Sequence, residues 1–151
     1  MNVIAIHTRA AEEDDVRPVE TIRAFAGKGL EGDRYFFPDG ARPGLALTLV
    51  EAEIVTDVGL REGDTRRQLT VSGIGLNDLI GKRFRVGDVE CYGVMICEPC
   101  LHLQELTRPG IIKELVHRSG LNADILTDGS ISVGDEIVVL HDASAVHAPR
   151  P

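Results

Sequence analysis

Two of this chain's three cysteines form a C-x-x-C in "VMICEPCLHL", residues 94–103. Thiolates bind soft metals, exchange disulfides and carry sulfur, so this stretch holds the first candidate chemistry. Four readings compete. A structural zinc site needs four ligands, and the remaining candidates, Cys91 and His102, are awkwardly sited. Cys91 falls on the strand-like "VECYGVMI", where alternation puts it on one face with Val89 and Met95. His102 is two residues past Cys100, too close for a comfortable chelate with it. A dithiol couple needs its first cysteine at a helix N-terminus after a strand in a βαβ setting. No such pattern surrounds this pair, and Glu98 opposes thiolate formation. The third reading is two inert buried thiols, since free cysteine is among the most buried residues. The fourth is one working thiolate, Cys100, with Cys97 a bystander or a thiol able to resolve an oxidised Cys100. Pro99 fixes the backbone as the strand ends, and a polar turn is expected next. A thiolate there could bind a soft metal or carry sulfur, and the residues alone leave both open.

Charge narrows the ligands. The 151 residues carry a net charge of −8, which provides no broad basic surface for nucleic acid. Yet arginine dominates the basic residues, and its planar fork suits a local phosphate or carboxylate site. Composition is that of an ordinary globular protein, 43% hydrophobic and 26% charged, with a length matching one domain. The opening "MNVIAIHTRAAEEDD" lacks the apolar length of a signal peptide, and no run could span a membrane. Reduced thiols in the cytoplasm are the expectation.

The elements that must position these groups are mostly strands. "NVIAIHTR" alternates as a strand, and "VETIRAF" reads as a second. "AGKGLEGDRYFFPDGARPG" is too rich in glycine and proline for regular structure and is expected to be an exposed, poorly ordered loop. "LALTLV" reads as a buried strand, and "EAEIVTDVGL" as a short helix. "RRQLTVSG" is β-rich, "LNDLIG" a single helical turn, and "KRFRVGDVECYGVMI" a strand pair about a tight turn. "PGIIKELVHRSG" is the best helix in the chain, with His117 near its C-terminus in a structural role. "NADILTDGSISVGDEIVVL" reads as two strands. Together these predict a mainly β fold, a β-barrel flanked by a few short helices. Residues 1–142 form the expected single domain, with 143–151 a disordered tail. His7, His141 and His147 lie outside any motif.

In order along the chain, "GLEGDRY", "RRQLTVSGIGLNDLIGKRFRVGDVECYG", "CEPCLHL" and "GIIKELVHRSGLNADILTDGSISVGDEIVV" resemble a MOSC domain of the stand-alone bacterial type. The resemblance runs from about Gly27 to Leu140. It implies a compact β-barrel whose key residue is the cysteine of the "PC" element, here Pro99-Cys100. By that likeness Cys100 is the ligand to molybdenum in a molybdopterin cofactor, or the acceptor of sulfur as a persulfide. Arg66 matches the arginine of the family's R-x-N element, which contacts the cofactor, with Gln68 where asparagine is usual. Arg34 of "GDR" is a further candidate for an anion; its structural alternative is a salt bridge to Asp33 or Glu31. The activity implied is two-electron reduction of N-hydroxylated compounds, or alternatively sulfur carriage. A redox partner or a cysteine desulfurase would accompany it, with a small-molecule substrate and neither nucleic acid nor membrane. Pyridoxal phosphate is not expected, because none of Lys28, Lys82 and Lys113 stands in a Schiff-base context.

Overall fold

A computed structural model describes residues 1–12 and 15–140. The expected tail at 143–151, with His141 and His147, lies outside the described residues. Strands dominate. The larger sheet contains β1 (Asn2–Thr8), β2 (Arg17–Val19), β5 (Leu47–Glu51), β6 (Leu69–Ser72), β7 (Arg83–Val86), β8 (Val89–Ile96), β9 (Leu121–Ile125) and β11 (Ile137–Val139). Its order is β11-β7-β8-β9-β5-β6-β1-β2, and β3 (Thr21–Phe25) joins β4 (Gly29–Leu30) and β10 (Gly129–Ser132) in a second sheet. Only β5 and β6 pair in parallel; they are linked through α1 (Ala52–Asp57). Every other strand pairing among the described residues is antiparallel, and an isolated parallel bridge joins Ile80 to Gly93.

The large sheet curls far enough for its ends to meet. Val3 N–H donates to Asp135 O at 2.9 Å, and Ile137 N–H to Met1 O at 2.8 Å. This joins the start of β1 to the approach to β11 and shields backbone groups that an open edge would expose. The inward faces fill the space between the two sheets with aliphatic side chains, Cys91 and Phe84, nearly all of them fully buried. A smaller cluster of Val58, Leu103, Ile111 and Leu115 packs α2 (Leu101–Leu106) and α3 (Ile111–Leu115) beside α1.

Several expectations need correction. "VETIRAF" is not one strand: the chain breaks at Glu20, sending β2 to the large sheet and β3 to the small one. The glycine segment is not simply an open loop. It contributes β4, Leu30 is fully buried, and a Cβ at Gly29 would stand 2.6 Å from Tyr35 O. Most of the segment is nevertheless exposed, as expected, including Ala26–Lys28, Arg34, Tyr35 and Pro38–Gly40; Gly29, Leu30, Asp33 and Gly44 are the buried residues within it. The expected long helix at 109–120 is only the five residues of α3. His117 lies beyond it with φ of 64° rather than on a helical turn. Helix α2 was not anticipated; a polar turn was expected there. The last segment makes three strands, β9, β10 and β11, not two.

Cys91 is fully buried with Val89, but Met95 is 49% exposed. A bulge between Gly93 and Met95 opposite β9 inserts a residue and reverses the side-chain alternation. Gly93 is required here: a Cβ would lie 2.1 Å from Leu79 O, where the 3-10 turn Leu76–Leu79 crosses β8. Gly93→Ala should therefore lower stability by roughly 1–3 kcal/mol through overpacking. Urea unfolding should register this as a lower midpoint with an unchanged slope.

Candidate functional site

The end of β1, the glycine segment, the start of β6 and the strap between β8 and α2 surround a cavity of about 320 Å3. One part of the lining, the first wall, carries Arg9, Arg34 and Tyr35, and another, the thiol wall, carries Cys97, Cys100 and His102. Thr65, Arg66, Arg67 and Gln68 also line it, with His7 and Thr48.

The first wall is built on Asp33, which is 8% exposed. Its Oδ1 accepts Arg9 N–H at 2.9 Å; its Oδ2 accepts Tyr35 N–H at 3.0 Å and Gln68 Nε2–H at 2.8 Å. Arg34 N–H donates to Arg9 O at 2.8 Å, so the two arginine backbones are clamped side by side. Burial pushes the Asp33 carboxyl above its ordinary range, against the lowering effect of its hydrogen bonds. The Arg34 guanidinium lies over the Tyr35 ring at 5.5 Å from its centroid. No Arg34 ion pair with Asp33 or Glu31 accompanies that contact among the described residues.

Gln68, a candidate for holding the cofactor, is committed to the protein itself. It is 4% exposed, its Oε1 accepts Thr48 N–H at 2.9 Å, and its Nε2 serves Asp33. Arg66 lines the cavity with φ of 62°, a left-handed turn rare for a side chain of this kind. Pro99 is half-buried beside Cys100 but is not part of the cavity lining.

The thiol wall separates the three cysteines. All are free. Cys91 sits in the core, where burial pushes its thiol far up. Cys97 is partly buried, and burial raises its thiol while Arg67 pulls the other way. Cys100 is exposed at the start of α2 and lines the cavity. Residues 97–100 run without helix, strand or turn. An extended step of three residues spans about 9–10 Å between Cα atoms, whereas a disulfide needs about 4.4–6.8 Å. A Cys97–Cys100 disulfide would need the two Cα atoms within that shorter range.

Sequence reasoning missed Arg9, Arg67 and His7. His7 lies outside any sequence motif, yet it lines the cavity at 8% exposure. Burial lowers its pKa, opposed by Glu62 and Asp64, and its Nδ1 has no hydrogen-bond partner. Arg67 had one available signal, its place in "RRQ" next to Arg66. Among the described residues no three His, Cys, Asp or Glu side chains gather as a cation site. A metal at Cys100 would need its other ligands from a group that carries them.

A family model described as the MOSC domain matches residues 46–138. The YuaD protein from Bacillus subtilis has a similar crystal structure, with TM-score 0.75 and 18% identity over 94% of this chain and 98% of that one. YiiM from Geobacillus stearothermophilus superposes with TM-score 0.72 and 17% identity, covering 93% and 75% of the two chains. YiiM from Escherichia coli gives TM-score 0.66 and 16% identity, covering 95% and 71%. At these identities the likeness is one of fold. No curated protein matches the chain.

Gln68→Leu should preserve the volume of the first wall but leave Thr48 N–H without its acceptor and remove one of the two donors to Asp33 Oδ2. The expected loss is about 1–3 kcal/mol, the cost of unsatisfied buried polar groups. Thermal and urea unfolding would measure it.

Proposed function

From the premise that this chain belongs to the MOSC domain family, we propose that its cavity binds the molybdenum cofactor through the Cys100 thiolate and reduces N-hydroxylated compounds. The observation that carries this reading is an exposed thiol opening into a cavity lined by four arginines on an acidic protein. The donor set fits such a group. A single soft thiolate suits molybdenum when the remaining ligands arrive with the cofactor. Arginines suit the cofactor's anionic parts.

When bound, the group supplies a metal able to exchange electrons in pairs. Cys100 holds it from the start of α2, whose Leu103 is buried in the small core. Arg9, Arg34 and Arg66 are the groups for anionic contacts; the first two have backbones fixed through Asp33 and its neighbours. Burial keeps His7 toward its neutral form, which leaves the positive charge of the cavity to guanidinium groups. Val16, Leu45 and Leu103 give the lining an apolar share that limits water. The overall reduction consumes two electrons and two protons, breaks the N–O bond and releases the N–H product and water. A redox partner protein would deliver the electrons.

A second reading uses the same exposed Cys100 thiol as a sulfur acceptor, loaded as a persulfide by a cysteine desulfurase. One experiment separates the two. The chain is produced with cofactor biosynthesis intact, and bound molybdenum and Cys100 persulfide are both measured. Molybdenum near one per chain, lost in Cys100→Ser and kept in Cys97→Ser, is the expected result. Persulfide without metal would favour sulfur carriage. Equal damage from both substitutions would overturn the single-thiol assignment.

A further inference from the structure

A side chain from a distant part of the chain helps to hold the strap that presents Cys100. Arg67 lies just ahead of β6, yet its guanidinium reaches across to the thiol wall. Nη2 donates to Cys97 O at 3.3 Å and to Glu98 O at 3.3 Å, while Nε donates to Ser119 O at 3.0 Å. Nη1 returns to Thr65 O at 3.3 Å, which fixes the other side of the fork. The Ser119 hydroxyl donates to the same Cys97 carbonyl. On the outer side, Glu98 accepts from His117 N–H and meets its Nδ1, each at 2.7 Å.

Beyond Glu98 the pattern changes. Pro99 has no N–H, and the Cys100 carbonyl accepts Gln104 N–H at 3.2 Å in the first turn of α2. Cys100 therefore stands one proline away from two carbonyls clamped by Arg67. The residue before proline is itself confined to extended backbone, which stiffens the link from Glu98 to Cys100.

We propose that Arg67 is the positioning residue for Cys100, a guanidinium spent on the carbonyls of Cys97 and Glu98 so that the thiol faces the cavity. The two neighbouring arginines then divide the work: Arg66 faces the ligand, and Arg67 sets the strap. This rests on the reading of Cys100 as the working thiol. Lysine cannot replace it fully, because an ammonium is a point charge without the planar fork that spans two carbonyls.

The test needs no cofactor. A nitroxide is attached to Cys100 in the full chain carrying Cys97→Ser, with Cys91 protected by burial, and its mobility is read by electron paramagnetic resonance. Arg67→Gln should shift the label from slow to fast motion, with the fast population rising roughly fivefold, as expected for loss of one net hydrogen bond. Arg67→Lys should fall between, and Ser119→Ala should give a smaller shift in the same direction. Because Arg67 and Ser119 hold one carbonyl, the double variant should move less than the sum of the two. A control label at Asp88→Cys, in the β7–β8 turn, should not change. An unchanged Cys100 spectrum in folded Arg67→Gln would overturn the proposal, as would an equal change at the control site. If Arg67→Gln does not fold, Arg67→Lys and Ser119→Ala decide by the same criteria. Failure to bind molybdenum would sink the cofactor reading while leaving this measurement intact.

Discussion

The buried carboxylate of Asp33 is the constraint on which the cavity depends. Three N–H groups from three parts of the chain converge on it: Arg9 at the end of β1, Tyr35 in the glycine segment, and Gln68 ahead of β6. Removing a carboxylate from water is costly, and burial accordingly raises the pKa of Asp33. The cost is tolerable because the donors are already oriented and leave few lone pairs unsatisfied. What the site gains is geometry. Arg9 and Arg34 cannot separate without breaking the clamp, so two flexible, entropy-rich side chains start from fixed backbones.

Residues 65–68 serve both walls, and consecutive side chains go to different tasks. Gln68 turns to Asp33 and Thr48, Arg67 to the strap, and Arg66 to the cavity. A regular strand offers only two faces, so three directions from three consecutive residues need a departure from strand geometry. Arg66 supplies it with its left-handed φ, which costs roughly 1–2 kcal/mol for a residue with a Cβ. His117 is the other non-glycine residue with positive φ among the described residues, and it turns both its N–H and its ring to Glu98. Such strain persists only where the surroundings over-determine it. Here both instances bear on the segment leading to Cys100.

How much of this was legible follows from the range of each interaction. "LALTLV" and "KRFRVGDVECYGVMI" read correctly as strands because alternation and glycine turns are local signals, and the mainly β barrel-like fold followed from them. The core position of Cys91 was legible for the same reason. Its supposed companion Met95 was not, since the bulge that turns it outward is set by the crossing of Leu79 over Gly93. Helix α2 was hidden because no side chain caps it; Cys100 stands at its N-cap without a capping hydrogen bond, and Leu103 packing holds it instead. Likewise α3 stops at Leu115 although the helical pattern continues. Arg67 was invisible in its role because its partners lie about thirty and fifty residues away and are backbone carbonyls, which no sequence pattern marks.

Net charge and local charge point in opposite directions in this molecule, and distance decides between them. A total of −8 repels anions in bulk, but at physiological ionic strength that field is screened over about 8 Å. Four arginines line the cavity, and the oxygens of Asp33 are already occupied by donors. Partial exclusion of water strengthens those nearby charges relative to the distant acidic surface. A phosphate on a large polyanion would bring many more charges against the acidic exterior than the cavity could offset. A small ligand with one or two anionic groups meets mainly the arginines. The same separation makes the division between Arg66 and Arg67 consequential: a guanidinium already shared among carbonyls contributes its field to the cavity while its hydrogen bonds stay with the strap.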